Sequence, residues 1–295
     1  YLKSKGFRVV VIMDPGIKTE KGYLPYEEGK EKDLFVKYPD GAEYQAQVWP
    51  GWCAFPDFTK EKTRTWWAEK MAFYTEAGVD GFWTDMNEPA SWGQHTPNLI
   101  EFDFEGDVSS HRKARNIYGM QMARSAQEGG LSGVAFAGYD VGGFAGEASK
   151  SLFARWMSIG AFSPLYRAHS MINSNDAEPW AFGEEVEEIS RNYMKLRYRL
   201  LPTIYSKFHS SAQTGLPINA SLAISYPLDS KIYQSAYQNQ YMFCDSFLVA
   251  PIESTKEITK VYLPKGSWYY LFSDEKYAGE KEIYQDCPLN YLPVF

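Results

Sequence analysis

The chain has 295 residues, enough for one large domain or for a domain with a smaller companion. Its net charge of −7 offers no basic face to nucleic acid or an anionic membrane, and no apolar run reaches the roughly 20 residues of a membrane span. Aromatic residues make up 17% (22 Tyr, 18 Phe and 9 Trp), an excess that fills cores and also suits stacking on the apolar faces of sugars.

Tyr1 to Gly6 reads as the tail of a helix with a glycine cap, and Leu292 to Phe295 reads as an interrupted strand. The chain is therefore expected to be an excerpt of a longer protein. Phe7 to Met13 is a β-branched apolar run, as in a parallel strand buried on both faces, and it ends in the turn Asp14-Pro15-Gly16. Residues 19–58 look like one long polar and aromatic connection, which inside a compact fold is usually functional. A helix is expected from about Thr59 to Glu76, with Trp66, Trp67, Met71 and Tyr74 on its buried face. The strand Gly81-Phe82-Trp83-Thr84 follows and delivers Asp85.

Ser110 is a suitable N-cap for a helix reaching Glu128. Val134 to Ala137 reads as a third strand, closed by Gly138-Tyr139-Asp140-Val141-Gly142-Gly143-Phe144. Ser149 caps a helix through Ile159, and the apolar stretch Phe162 to Tyr166 leads into Arg167-Ala168-His169. The last helix spans about Glu184 to Ser211 with Pro202 inside. After Gly215, short alternating runs and Pro264-Lys265-Gly266 indicate antiparallel β structure, so the domain boundary is placed near 215.

Alternating strands and helices with polar groups at the strand ends give the pattern of a (β/α)8 barrel, whose chemistry sits at the C-terminal strand ends. Those ends supply Asp14, Asp85 with Glu88, Asp140 and His169. Any one of them alone is more simply a helix cap, but four on one face point to a shared site. Glycosidic cleavage needs two carboxyl groups, one to attack or steer water and one to protonate the leaving oxygen. Asp85, placed by a rigid strand among Trp83, Met86 and Asn87, suits the attack; Glu88 could orient it, bind a sugar hydroxyl or hold the turn. Trp49, Trp83 and Phe144 could wall a sugar pocket or simply pack. Cys53, Cys244 and Cys287 lack disulfide or metal-site spacing, and nothing calls for a metal or cofactor.

Trp83-Thr84-Asp85-Met86-Asn87-Glu88-Pro89 closely resembles the signature of glycoside hydrolase family 31, the α-glucosidase and α-xylosidase family. Four more stretches resemble it in the same order: Met13 to Lys18, Val48 to Gly51 with Phe55 to Phe58, Asp140 to Phe144, and Phe162 to His169. Tyr262-Leu263-Pro264 to Trp268-Tyr269 is similar to the family's β domain. The resemblance implies a partial (β/α)8 barrel over 1–214 and a β-rich domain over 215–295. It implies a retaining, exo-acting α-glycosidase, nearest the α-glucosidase branch, that takes small oligosaccharides through a covalent glycosyl intermediate on Asp85. Glu88 would support Asp85; Asp14 and His169 would hold sugar hydroxyls; Trp49, Trp83, Met86 and Phe144 would line the pocket; Asp140 and Arg167 would brace it. Transglycosylase and α-xylosidase activities on the same scaffold are the alternatives.

One part of the family pattern has no counterpart. Between the Asp85 strand and Asp140 the family carries two further strands, one ending in a sugar-binding arginine and one in the turn that holds the acid/base aspartate. Here residues 110–128 run through Gly129-Gly130 directly into Leu131-Ser132-Gly133-Val134. That gap supports another alternative, a sugar-binding fragment without catalysis.

Overall fold

The computed structural model describes residues 1–92, 95–115, 117–128 and 138–295. They fall into two compact units, 1–133 and 134–295. The strand expected at Val134 to Ala137 and the junction at Gly129–Leu131 lie outside the described residues.

In the first unit, β1 (Val10–Met13) leads through the Asp14 turn to β2 (Ile17–Lys18), α1 (Leu24–Glu31), β3 (Gln45–Val48), β4 (Gly51–Ala54), α2 (Glu61–Glu76) and β5 (Gly81–Thr84). The chain continues through β6 (Glu101–Phe102), β7 (Ser109–Ser110), α3 (His111–Ala114) and α4 (Tyr118–Glu128). β1 pairs in parallel with β5, from Val10↔Gly81 to Met13↔Thr84. The expected burial of β1 on both faces is not found: Val10 and Ile12 are 61% and 56% exposed. Among the described residues β5 is its one ladder partner, so its side chains alternate between packing and solvent.

Residues 19–58 are not a structureless connection either. They contain α1 and the hairpin β3–β4, and β2 adds to β4 to make a three-stranded antiparallel sheet. Val36, Tyr44, Ala46, Val48, Cys53 and Phe55 are buried there and join Trp66, Trp67 and Met71 of α2 in one core. The segment folds because it buries apolar surface, at roughly 25 cal/mol per Å² removed from water. The expected helix from Ser110 is broken into α3 and α4; Ser110 occupies the N-cap position but its side chain makes no cap bond.

Asp57 organises the start of α2. Its buried carboxylate accepts from the Thr59 amide (3.1 Å), the Thr59 hydroxyl (2.6 Å) and the Asp103 amide (2.8 Å). The Glu105 carboxylate accepts from the Glu61 amide, placing negative charge at the positive end of the helix dipole.

The second unit contains α5 (Lys150–Gly160) and α6 (Glu184–Thr214), followed by β8 (Asn219–Ser221), α7 (Leu222–Ser225), β9 (Tyr241–Phe243) and β10 (Phe247–Val249). It ends with β11 (Ile258–Leu263), β12 (Ser267–Tyr269), β13 (Lys276–Ala278) and β14 (Lys281–Asp286). The Ser149 hydroxyl accepts from the Leu152 amide (3.1 Å), the N-cap expected from sequence. Glu184, Glu185 and Glu187 lie in the first turn of α6, and Gly215 ends it in a left-handed conformation (φ 74°). Every named strand pair in this unit is antiparallel, as the alternating runs indicate. Phe153 stacks on Phe182 at 4.1 Å in the core shared by α5 and α6.

Asp57→Ala would strand two amides and a hydroxyl. The expected cost is about 1–3 kcal/mol, read as a lower urea midpoint with an unchanged slope. A midpoint equal to that of the parent protein would contradict the role given to Asp57.

Candidate functional site

The register of β1 and β5 decides where the candidates of the first unit stand. Met13 and Thr84 are partners, so the next residues, Asp14 and Asp85, leave the same end of neighbouring parallel strands. The Asp85 amide reaches back to the Met13 carbonyl at 3.4 Å, extending the ladder by one residue. The chain then turns sharply: Met86 has φ 54°, and its amide donates to the Asp85 carboxylate at 2.9 Å. The Asn87 amide group donates to the Thr84 hydroxyl (3.4 Å), and the Ala90 amide to the Met86 carbonyl (3.1 Å). The outcome is an exposed Asp85 on a short turn tied to its own strand, with Glu88 also exposed and Trp83 half-buried.

Asp14 is half-buried, and its Oδ1 is enclosed without a hydrogen-bond partner. Burial, then the neighbouring Asp85 charge, raises its pKa above the ordinary aspartate value. A carboxylate oxygen held out of water with no donor suits a ligand hydroxyl that would supply one. Trp49 lies at the tip of the β3–β4 hairpin, 53% exposed, with its ring edge-on to Trp92 at 4.6 Å. The Trp92 amide donates to the Gln47 carbonyl (2.9 Å), which fixes the segment after Asp85 against the hairpin. Sequence reading did not single out Trp92. An exposed indole seven residues beyond the candidate nucleophile was the available signal.

The remaining four candidates belong to the second unit. Val141 and Ala168 form a parallel bridge, with the Val141 amide donating to the Arg167 carbonyl (3.1 Å) and the His169 amide to the Val141 carbonyl (3.4 Å). Arg167 Nη2 pairs with Asp140 Oδ1 at 2.8 Å, linking the two segments again. Gly142 has φ 101°, and a Cβ there would meet the Phe153 ring at 2.9 Å; glycine is what this turn requires. The exposed Phe144 and His169 rings lie 5.7 Å apart, and the Met171 amide donates to the Phe144 carbonyl (2.7 Å). Phe144, Asp140, Arg167 and His169 are thus gathered by one two-segment frame.

The family model of the glycosyl hydrolases family 31 TIM-barrel domain matches residues 1–129 and 123–207, and that of the family's C-terminal domain matches 215–295. The chain belongs to glycosyl hydrolase family 31. It is 36% identical to alpha-glucosidase 2 of Bacillus thermoamyloliquefaciens, covering all of this chain and 44% of that protein. A solved family 31 dextranase of Flavobacterium johnsoniae, complexed with glucose, shares 28% identity at a TM-score of 0.64, over 99% of this chain and 43% of that one. A family 31 alpha-xylosidase from a soil metagenome, at 23% identity and a TM-score of 0.66, shares the fold over 99% of this chain and 53% of its own. The fold is accordingly part of the family 31 barrel together with its C-terminal β domain.

The chain spans less than half the length of the curated relatives it matches. The alignment with the Bacillus enzyme runs over 346 positions against 295 residues here, so about fifty of its positions have no counterpart. The barrel model matches in two pieces that overlap at 123–129, next to the Gly129–Leu131 junction.

Asp14 gives a pH prediction. Because folding raises its pKa, the folded state holds the proton more tightly than the unfolded chain. Asp14 therefore favours folding below the ordinary aspartate pKa of about 3.9, and that contribution is lost as pH rises through the raised value. Asp14→Asn is expected to raise Tm by about 1–3 °C at pH 7, with the gain shrinking towards zero below about pH 4. A gain independent of pH, or a loss at pH 7, would refute this account of Asp14.

Proposed function

We propose that the intact protein is a retaining, exo-acting α-glycosidase, specifically an α-glucosidase that removes terminal α-linked glucose from small oligosaccharides. The observation that carries this reading is the β1–β5 register, which sets an exposed Asp85 beside a half-buried, donor-seeking Asp14 at the C-terminal strand ends. The name of the Bacillus relative favours the glucosidase branch over the dextranase and xylosidase neighbours. Residues 1–214 are assigned to the catalytic barrel and 215–295 to the β-rich domain.

In this proposal an Asp85 oxygen attacks the anomeric carbon as the bond to the leaving oxygen breaks, giving a glycosyl ester; water then cleaves the ester with net retention. Asp14 and His169 accept or donate hydrogen bonds to the sugar's hydroxyls. Trp49, Trp83, Met86 and Phe144 supply apolar faces for the ring. Glu88 supports the turn that aims Asp85, and the Arg167–Asp140 pair keeps His169 on its segment. The leaving oxygen must receive a proton, and no stretch of this sequence matches the family's acid/base turn.

Asp85→Asn in the intact protein is expected to lower kcat on an aryl α-glucoside by roughly 10⁴-fold or more, while Tm stays within a few degrees of the parent. Activity within tenfold of the parent would remove Asp85 from the chemistry. The fifty or so unmatched positions favour a second reading, a sugar-binding protein without turnover. It predicts saturable glucose or maltose binding in calorimetry and no released sugar over days; measurable hydrolysis would dismiss it.

A further inference from the structure

We propose that Arg197 on α6 is a positioning residue that sets the Arg167–His169 segment, and through it the affinity of the site for sugar. The inference rests on the role proposed above for His169. Residues 161–166, between α5 and the Val141↔Ala168 bridge, form no helix or ladder, so their carbonyls must find other donors. Arg197 supplies three of them. Its Nη1 donates to the carbonyls of Ala161 (3.2 Å) and Ser163, and its Nη2 to that of Pro164 (2.6 Å). The hydroxyl of Tyr241 donates to the carbonyl between them, Phe162 (3.0 Å), so the four successive carbonyls 161–164 are held by side chains.

Arg197 is buried, and burial lowers its pKa, so these carbonyl dipoles carry the compensation of a desolvated charge. The rigid fork of a guanidinium reaches several acceptors in fixed directions, which an ammonium cannot reproduce. Beyond Pro164 the chain has little freedom. Leu165 lies over Gly138, where an added Cβ would come within 2.5 Å of it, and Arg167 and His169 are already bonded to Val141. Arg197 thus fixes one end of the segment and the bridge fixes the other.

Arg155 offers an internal control. It is buried in the same unit and donates to four carbonyls, those of Lys256, Cys287, Pro288 and Tyr291, none within 161–169. The two arginines predict different phenotypes. In the intact protein, Arg197→Met is expected to lower Tm and to weaken glucose binding in calorimetry by about ten- to hundredfold, with KM on an aryl α-glucoside rising in parallel. Arg155→Met is expected to lower Tm and leave glucose affinity unchanged. Should Arg197→Met not fold, Arg197→Lys keeps the charge but not the fork, and is expected to show a smaller loss of affinity. His169→Ala provides the reference: if it leaves glucose affinity intact, the site reading fails and takes this proposal with it. If His169→Ala weakens binding while folded Arg197 variants match the parent, the positioning role alone is overturned.

Discussion

The parallel pairing of β1 with β5 is the constraint on which the placement of Asp14 and Asp85 depends. Strand register has a period of two, so slipping either strand by one residue would send Asp14 or Asp85 to the other face of the sheet. The four-residue ladder from Val10↔Gly81 to Met13↔Thr84 fixes that choice, and the Asp85 amide extends it to the candidate nucleophile itself. The bonds that shape the turn itself are short-range: the Met86 turn, the Asn87–Thr84 contact and the Ala90 return bond lie within six residues of Asp85. Strand ends in barrels suit catalysis for this reason, because the strand supplies rigidity while the turn beyond it is free to choose a direction.

The candidates of the second unit are held by a different device. There the described residues offer one parallel bridge, and the shape of the segments comes from side chains that satisfy main-chain carbonyls. Arg197 and Tyr241 hold 161–164, while Arg167 and Asp140 tie the two segments beside His169. A desolvated guanidinium is costly unless several acceptors surround it, so such a residue stays in place only while the loop keeps its conformation. The coupling runs both ways: the loop stabilises the buried charge and the charge fixes the loop.

Much of this was legible in the sequence where a local rule applied. The β-branched run before Asp14, the Trp66, Trp67 and Met71 spacing and the Ser149 cap each act within a few residues. Reading failed where burial was decided at long range. Residues 19–58 lack a clean period because their helix and strands are short, yet Val36, Tyr44 and Phe55 enter a core built largely with α2. The exposure of Val10 and Ile12 could not be read from their β-branched character, since a strand's second face is buried only when another element covers it. Trp92 and Arg197 escaped notice because each acts through tertiary contacts that no spacing rule encodes.

Asp14 shows how a site can be recognised by what it costs the fold. A carboxylate with one enclosed, unpaired oxygen beside a second carboxylate destabilises the free protein, and packing alone gives no reason to keep it. A buried structural aspartate looks different: Asp57 accepts three protein hydrogen bonds, whereas the enclosed Asp14 oxygen accepts none. The contrast separates the two by their partners rather than by burial, since Asp57 is the more deeply buried of the pair. An acceptor without a donor becomes satisfied when a hydroxyl arrives, and a sugar brings several in fixed geometry. In the proposed site the energy withheld in the free state would be released on binding, which would tie affinity at Asp14 to hydroxyl orientation and so to the identity of the sugar.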